Sequence, residues 1–419
     1  MTSTENTLSA LGARAAKAQK SLARAGSAVK DRALLKAAEL LRNSVPAITA
    51  ANALDIAAAR EAGVREAMID RLALDAGRIE GIARSMEEIA ALPDPAGRVL
   101  TGNTHPNGMK IEKVTAPFGV IGVIYEARPN VTCDAAALCL KSGNAAILRG
   151  GKEAIRTNTA LEETLRRALE ESGLPADCVI LVKDTSRRSS VDMMGLTDYL
   201  DLLIPRGGAG LIKSVVENAK VPVIETGTGN CHVYVAQSAD IDTAVNIIYN
   251  AKTSRPSVCN ACESLLINRA IAEDALPAIK AKLDEKNVVI AGDKETLAII
   301  DGAVPATEED WGTEYLDYKL SCKIVGDTDE AIEHINRYGT KHSECIVTKD
   351  YAEAEKFLNE VDAAAVYVNA STRFTDGGVF GFGAEIGIST QKLHARGPVG
   401  LPELVTTKYV IRGEGQVRN

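Results

Sequence analysis

Helical periodicity opens the chain. In residues 7–91, which are rich in Ala, Leu, Arg and Glu, apolar side chains recur at intervals of three and four, as at Leu34, Ala37, Ala38 and Leu41. This spacing places them on one face of a helix. The stretch therefore predicts a run of helices, and because it carries no chemical motif we assign its alanines to core packing.

The helical pattern gives way to turn residues between positions 92 and 113. Prolines and glycines punctuate this stretch, and Asn107-Gly108 is a dipeptide typical of tight hairpins. We predict a β-ribbon from about Val99 to Lys113 that projects from the body of the protein. Arms of this kind often join subunits, so the ribbon is a candidate oligomerisation element.

From Phe118 onward, short apolar runs alternate with helical patterns. The run 119–124 precedes a helical stretch at 133–142, and the run 145–148 precedes a longer one at about 153–171. This alternation is typical of βαβ units, so we predict a parallel sheet and a doubly wound α/β domain. The other predicted strands are 179–182, 200–204, 221–224, 232–235, 265–267, 288–290, 323–325, 345–347, 365–369 and 404–412.

The composition is that of a globular protein and argues against nucleic-acid binding, secretion and membrane insertion. The chain has 419 residues, which suggests two or three domains, and its 46% hydrophobic content is ordinary for a globular protein. A net charge of −8 and a single Trp argue against nucleic-acid binding, which uses basic grooves and aromatic platforms. The first ten residues lack the pattern of a signal peptide, and no apolar run is long enough to span a membrane. We therefore expect a cytoplasmic protein whose eight cysteines are free thiols.

One cysteine stands at the junction between a helical pattern and an apolar run. Cys259 follows the helical spacing of residues 244–251 and precedes the run 265–267. With polar neighbours, and with a helix beginning at Asn260, its pKa would be lowered and its thiolate would be a nucleophile. The alternative is that Cys259 is a small buried apolar residue.

Cys262, three positions after Cys259, adds a metal or dithiol site as a further alternative. The five histidines lack the spacing of a zinc site, so we predict no metal.

A glycine-rich loop follows the second predicted strand of the sheet. Arg149, Gly150, Gly151 and Lys152 lie directly after that strand and before a helix. Ligands bind at the carboxyl ends of strands in open α/β sheets, and helix N-termini attract anions. The two cations suit a phosphate such as that of NADP. An ordinary strand–helix loop with solvated charges is the alternative.

Two further strand ends carry candidate residues. Arg206, Gly207 and Gly208 repeat the glycine-rich pattern; they do not form a GxGxxG motif, but two such loops after adjacent strands fit a nucleotide along one sheet edge. Glu225 also follows a predicted strand. It is a candidate general base or, equally, a solvated residue at a strand end.

Several motifs together resemble a known family. Residues 115–123 resemble the opening of the aldehyde dehydrogenase cofactor domain, Arg149 stands where that superfamily has a cofactor-binding Lys, and Cys259 matches its catalytic cysteine. Closer still is the resemblance to one branch, the γ-glutamyl phosphate reductases, which covers essentially the whole chain. The strings that carry it are YEARPNV, IPRGG, TGTGNCH, RPSVCNA, KHSE, FGFGAEIGIST and ARGPVGLPELVTTKYVIRGEGQVR.

The resemblance implies a reaction and a cofactor. The family reduces L-glutamyl 5-phosphate with NADPH to L-glutamate 5-semialdehyde in proline biosynthesis and releases phosphate. Cys259 would attack the acyl phosphate to form a thioester, which hydride then reduces. Arg128, His342 and Ser343 are candidates for substrate binding, and Arg373 lies in a loop suited to the substrate's α-amino and α-carboxylate groups.

Three positions can be compared with functional residues of the superfamily, one of which is replaced here and two of which are matched. Ala127 replaces the superfamily's oxyanion-binding Asn, so Asn130 is the candidate substitute, together with the backbone N–H of Cys259. Glu225 matches the general base, which a phosphate-releasing reductase does not need. Glu314 matches a Glu that contacts the nicotinamide ribose.

The resemblance also implies an aldehyde dehydrogenase-like α/β fold of three parts. These are a Rossmann-like NADPH-binding domain, an α/β catalytic domain and a small β oligomerisation element. Their predicted bounds are 1–96 and 117–230 with a return at 371–393, then 231–370, then 97–116 with 394–419. We expect a homo-oligomer, with a glutamate 5-kinase as a candidate partner. A hydrolytic aldehyde dehydrogenase using Glu225 and an inactive scaffold remain alternatives.

Overall fold

The computed structural model of the chain describes residues 7–418, so the first six residues and residue 419 of the predicted domains lie outside it. The chain begins with the predicted run of helices. Oxygen atoms of the Thr7 and Asp75 side chains accept hydrogen bonds from backbone N–H groups in the first turns of the first and fifth helix. These five helices are α1 Leu8–Leu22, α2 Ser27–Asn43, α3 Val45–Glu61, α4 Glu66–Leu72 and α5 Ala76–Ala91.

Strands and helices then alternate, as predicted. The later helices are α6 Asn130–Lys141, α7 Ile155–Glu171, α8 Arg187–Met194, α9 Ala209–Asn218, α10 Ile241–Thr253, α11 Ala272–Asp284, α12 Lys294–Ile299, α13 Thr328–Tyr338 and α14 Tyr351–Glu360. The strands are β1 Val99–Thr104, β2 Lys110–Pro117, β3 Val120–Tyr125, β4 Ala145–Arg149, β5 Val179–Leu181, β6 Leu202–Arg206, β7 Cys231–Val235, β8 Cys262–Asn268, β9 Val289–Gly292, β10 Val304–Pro305, β11 Lys319–Val325, β12 Ser343–Val347, β13 Ala365–Val368, β14 Ile388–Ser389, β15 Gly397–Pro398 and β16 Val405–Arg412.

The first of two compact units contains a four-stranded parallel sheet. The unit comprises the described residues up to Thr226, Gly381–Gly387 and the segment from Val399 onward, and its strands lie in the order β5-β4-β3-β6. Side chains of β3 alternate between a core with α2, α5, α6 and α7 and a core with α1, α8 and α9. The predicted doubly wound α/β sheet is therefore confirmed.

One predicted strand in this unit is wrong. Residues 221–224 contribute a single parallel bridge, between Val223 and Leu203. Pro222 has no N–H to donate, which prevents a continuous ladder in this short run.

A three-stranded antiparallel sheet in the same unit has the order β1-β2-β16. Gly108 adopts a φ of 94° in the turn between the first two strands, a conformation that favours glycine. β16 pairs along the whole of β2, from Val405 opposite Pro117 to Arg412 opposite Lys110. The predicted ribbon and the predicted last strand are confirmed, while their role in oligomerisation stays a prediction.

The second unit contains a seven-stranded parallel sheet. It comprises Gly227–Phe380 and Ile388–Pro398, and its strands lie in the order β10-β9-β11-β8-β7-β12-β13. One face of β7 and β8 packs with α10 and α11, and the opposite face packs with α13 and α14. The predicted return segment 371–393 thus contains Gly381–Gly387 of the first unit, flanked by residues of the second. Among residues 7–418, no helix has the length and apolar character needed to cross a membrane.

Candidate active site

The candidate nucleophile lies in a loop of the second unit. Cys259 belongs to residues 254–261, which connect α10 to β8 and which we call the nucleophile loop. The helix expected to begin at Asn260 is wrong, because a strand begins at Cys262 instead. The residues from Cys262 onward form β8, which pairs with β7 on one side and with β11 on the other.

Exposure separates Cys259 from the other cysteines. All eight lie in the part of the chain that the structure describes, none forms a disulfide, and Cys259 is the one that is not buried. A partly exposed thiol is accessible to a reagent or substrate, which argues against the buried apolar alternative. Burial raises the pKa of the seven other thiols, Cys133, Cys139, Cys178, Cys231, Cys262, Cys322 and Cys345.

Residues at the start of β7 and just before it contact the backbone of Cys259. The Cys231 thiol donates to the Cys259 carbonyl oxygen at 3.1 Å. Gly229 packs so closely that a Cβ atom there would lie 1.4 Å from the same oxygen. The Glu314 carboxylate accepts a hydrogen bond of 2.8 Å from the Gly229 N–H. The structure therefore places Glu314 within the support of the nucleophile loop, and its predicted contact with the cofactor ribose stays a prediction.

Asn260 binds the nucleophile loop to a segment more than one hundred residues later, 371–376. Its side-chain amide donates to the Thr375 carbonyl at 2.9 Å and the Arg373 carbonyl at 3.3 Å. Its own carbonyl accepts from the Thr372 hydroxyl at 2.7 Å. No local sequence pattern indicates this role, because the partners are adjacent only in the fold.

Arg373, a predicted substrate residue, is brought to the nucleophile loop. Its guanidinium donates to the Asn260 side-chain oxygen and, at 3.1 Å, to the Ser254 hydroxyl. Burial lowers the pKa of Arg373, the neighbouring Arg255 lowers it further, and negative charge on Cys259 opposes the change. Arg255, which is not among the predicted site residues, is a second cation of the nucleophile loop, four positions before Cys259.

His342 and Ser343 lie at the start of β12 and are fully buried. The His342 Nδ1 atom lies 2.8 Å from the Ser343 hydroxyl and 3.6 Å from the Cys231 thiol. The Ser343 hydroxyl in turn lies 2.7 Å from the hydroxyl of Thr375. A hydrogen-bonded chain thus connects the 371–376 segment to the thiol that supports Cys259. Whether either residue contacts substrate stays a prediction.

A buried ion pair joins the two stems of the nucleophile loop. Lys252, at the end of α10, lies 2.6 Å from Glu263, in β8, and both side chains are fully buried. The second Glu263 oxygen accepts from the Leu316 N–H at 3.1 Å. Burial raises the pKa of Glu263 to about 7, and the charge of Lys252 opposes that rise. The pair fixes the ends of the loop without entering its reactive part.

Two of the predicted cofactor cations lie at the carboxyl ends of strands in the first unit's sheet. Arg149 ends β4 and Arg206 ends β6, and these strands lie on either side of β3. The Arg149 guanidinium donates to the Thr185 and Ser186 carbonyls at 2.7 and 2.8 Å. Burial lowers its pKa below the ordinary value. Lys152 is exposed. Two cations at the carboxyl edge of a parallel sheet fit an anionic dinucleotide.

The glycines after β4 lie against the chain's own side chains. A Cβ on Gly150 would lie 2.2 Å from the Asn158 amide nitrogen, and one on Gly151 would lie 2.1 Å from a Glu153 oxygen. Close packing of the loop is thus one reason for glycine at both positions. Their predicted role at a phosphate stays a prediction.

The glycines after β6 lie against a carboxylate. A Cβ on Gly207 would lie 2.5 Å from a Glu126 oxygen, and the same oxygen accepts from the Gly208 N–H at 3.0 Å. Glu126 therefore lies at the N-terminus of α9, beside the second loop predicted to contact a nucleotide. The cofactor role of Gly207 and Gly208 also stays a prediction.

The segment expected to supply an oxyanion donor begins α6. Ala127 has a φ of 41°, and its N–H donates to Glu153 at 2.9 Å. The Asn130 amide donates to Asp134 at 2.8 Å, and burial raises the pKa of Asp134 to about 6. Asn130 and Arg128 are both half-buried, as is Glu225. The structure places these three residues in the first unit and leaves their predicted chemistry untested.

The chain is similar to known proteins over most or all of its length. Residues 1–302 match the model of the aldehyde dehydrogenase family. The γ-glutamyl phosphate reductase of Clostridium perfringens (strain 13) is 58% identical over 413 residues, which covers 99% of this chain and 100% of the relative. That of Halothermothrix orenii is 55% identical and covers 97% of each chain.

A solved structure shows the same fold. The crystal structure of the γ-glutamyl phosphate reductase of Thermotoga maritima aligns with a TM-score of 0.94 at 49% identity, covering 98% of this chain and 99% of that one. The family resemblance drawn from the sequence motifs is confirmed, and so is the aldehyde dehydrogenase-like fold.

Proposed function

Because the chain belongs to the aldehyde dehydrogenase family and groups there with γ-glutamyl phosphate reductases, we propose that it reduces L-glutamyl 5-phosphate to L-glutamate 5-semialdehyde with release of phosphate, as a step of proline biosynthesis. The observation that carries the proposal is Cys259, the one cysteine that is not buried, held in a loop fixed by buried hydrogen bonds.

The side chains around Cys259 suit acyl transfer. The Cys259 thiolate adds to the carbonyl carbon of the acyl phosphate, and the tetrahedral species collapses as the bond to the phosphate oxygen breaks. Phosphate leaves with that electron pair, and a thioester remains on Cys259. A bound nicotinamide cofactor supplies hydride to this thioester. The resulting alkoxide expels the thiolate, which releases the aldehyde and restores Cys259.

A preference for NADPH follows from charge at the sheet edge of the first unit. Arg149 and Arg206 end the strands on either side of β3, and Lys152 follows nearby on the surface. Guanidinium groups bind phosphate through paired hydrogen bonds, so these residues are the candidates for the additional phosphate that distinguishes NADPH from NADH.

A homo-oligomer formed through the three-stranded sheet is the proposed assembly. Leu100, Tyr409 and Ile411 each expose half or more of their surface on this sheet. Exposed apolar side chains grouped on one element mark interaction surfaces. Light scattering of the purified protein measures the assembly, and replacing Tyr409 and Ile411 by Lys should shift it towards monomer. The association with a glutamate 5-kinase stays a prediction.

The reverse reaction tests the proposed activity. The protein is mixed with glutamate 5-semialdehyde and NADP, with and without inorganic phosphate, and NADPH absorbance is followed. We expect NADPH formation that requires phosphate, is abolished in Cys259→Ala and is retained in Cys139→Ala, which removes a buried thiol from the first unit. Equal rates without phosphate would instead support a hydrolytic aldehyde dehydrogenase with Glu225 as the base. A folded protein that is inactive in both conditions would contradict both activities.

A further inference from the structure

Two arginines converge on the nucleophile loop from different parts of the chain. Arg255 belongs to the loop, four positions before Cys259, and Arg373 belongs to the 371–376 segment. The Arg373 guanidinium is held between two loop residues, the hydroxyl of Ser254 at 3.1 Å and the side-chain oxygen of Asn260. These contacts fix one guanidinium between the two ends of the stretch that contains Arg255 and Cys259.

Neither guanidinium group forms an ion pair with a carboxylate within 4.0 Å among residues 7–418. Arg255 is exposed and has no carboxylate partner among the described residues of its unit. Arg373 is half-buried, and its hydrogen bond of 3.1 Å to the Ser254 hydroxyl places its guanidinium at the residue that precedes Arg255. Asp376 is the one carboxylate that appears among its charge interactions. Like charges held together in a partly desolvated place repel each other, and an anion bound by both relieves that repulsion.

The substrate under the proposed function carries two anionic groups, a phosphate and an α-carboxylate. The position of the carbon that Cys259 attacks determines which of them lies next to the two arginines. Cys259 attacks the carbon that bears the phosphate, so the phosphate must lie next to the sulfur when the bond forms. Three carbon atoms separate that carbon from the α-carboxylate. The anion closest to Cys259 is therefore the phosphate, and its double negative charge matches two guanidinium groups.

We infer that Arg255 and Arg373 together bind the phosphate of the acyl phosphate. This rests on the proposed function and adds Arg255 to the site, while it reassigns Arg373 from the α-amino and α-carboxylate groups to the leaving group. When the tetrahedral species collapses, the electron pair of the breaking C–O bond passes to the phosphate, and both guanidinium groups stabilise that charge. In the reverse direction the same pair holds inorganic phosphate against the thioester.

The reverse reaction separates the two anions, because phosphate and glutamate 5-semialdehyde are then different substrates. In Arg255→Gln we expect the KM for phosphate to rise about tenfold, while the KM for the semialdehyde stays within about twofold. Arg255→Lys, which keeps the charge, should restore part of the affinity. Arg337→Gln is the matched control, since Arg337 is an exposed arginine of the same unit on α13. A rise in the KM for the semialdehyde alone, or no change in either KM, would overturn the inference.

Alkylation of Cys259 provides a second test that does not need turnover. Iodoacetate is an anion and iodoacetamide is neutral, so a cationic pocket favours the former. In the wild type, inorganic phosphate should protect Cys259 from iodoacetate. In Arg255→Gln the iodoacetate-to-iodoacetamide rate ratio should fall several-fold and phosphate protection should weaken about tenfold. Unchanged ratios and protection would overturn the phosphate subsite. Loss of phosphate-dependent turnover in the wild type, with these ratios as expected, would instead contradict the proposed activity alone.

Discussion

The nucleophile loop and the two glycine-rich loops of the first unit are built differently. Around Cys259, hydrogen bonds and close packing fix the backbone through the Cys231 thiol, the Asn260 amide and Gly229, and one carboxylate, that of Glu314, takes part by accepting from the Gly229 N–H. The glycine-rich loops are instead bordered by the chain's own charged groups, as where Glu126 accepts from the Gly208 N–H. Under the proposed function, the first arrangement holds the nucleophile in place, and in the second a bound cofactor would have to displace or join the charged groups already present.

This difference follows from what each place has to do. A nucleophile must keep its position to within a fraction of an ångström, and buried hydrogen bonds in a close-packed interior provide that precision. Under the proposed function a cofactor has to enter and leave beside the glycine-rich loops, where Lys152 is exposed although Arg149, Gly150 and Gly151 are buried. The predictions below test whether rigidity at the nucleophile loop and charge at the sheet edge are the properties that matter.

The largest effect on stability is expected from the ion pair that joins the stems of the nucleophile loop. Lys252→Met leaves the Glu263 carboxylate buried without its partner, so the free energy of unfolding should fall by about 3–5 kcal/mol. Urea unfolding followed by circular dichroism measures it. Lys280→Met, which removes an ion pair at the surface of α11, should change the value by less than about 1 kcal/mol. Equal effects of the two substitutions would contradict the account.

A smaller but more local effect is expected at Gly229. In Gly229→Ala the new methyl group would overlap the Cys259 carbonyl and displace the nucleophile, so kcat should fall about 100-fold. Steady-state kinetics measures it, with Gly312→Ala as the control because a Cβ there meets open space. If kcat of the Gly229 variant stays near wild type, the loop is more compliant than its contacts indicate.

At the sheet edge the expected effect is on affinity. Arg149→Met should raise the KM for NADPH about tenfold and change the KM for NADH by less than about twofold, because the lost charge faces the additional phosphate. Arg167→Met, on the exposed side of α7, serves as the control. A similar rise for both cofactors would mean that Arg149 shapes the loop through its contacts with Thr185 and Ser186 rather than binding phosphate.

The smallest effect is a pH dependence from the core of the second unit. Burial lowers the pKa of His334 to about 3, below its ordinary value of 6.5, so the folded protein keeps this ring neutral. Its contribution to stability is complete above pH 6.5 and is lost as pH falls towards 3, by at most about 1.4 kcal/mol per pH unit. In His334→Phe, unfolding free energies measured at pH 6.5 and 5.5 should differ by about 1 kcal/mol less than in the wild type. An equal difference in the variant and the wild type would contradict this account of His334.

Much of the fold could be predicted because short sequence patterns indicate most of its strands, turns and helices. β3 is buried on both faces and therefore appears as a continuous apolar run, and the hairpin after β1 carries Asn107-Gly108. Element ends were less certain, since β8 begins at Cys262, before its apolar run. The failed strand at 221–224 shows why an apolar run alone is insufficient when Pro222 interrupts its hydrogen bonding.

The candidate site was predictable only in part. Cys259 and the loop around it could be found because the motifs are contiguous in the chain. The contact of Asn260 with Thr375 and that of Gly229 with Glu314 join residues far apart in sequence, and no local pattern indicates them. The inferred role of Arg255 could not be predicted for the same reason, since it depends on Arg373 contacting the adjacent Ser254.

The strand order of the three-stranded sheet has a consequence for synthesis on the ribosome. Its central strand, β2, pairs with β16, and Glu112 lies against Arg412, 300 residues later in the chain. The nascent first unit therefore waits with one edge of β2 open while the whole of Gly227–Phe380 is translated and can fold. An open strand edge is prone to pairing with other chains, so this interval is when the nascent protein most needs a chaperone.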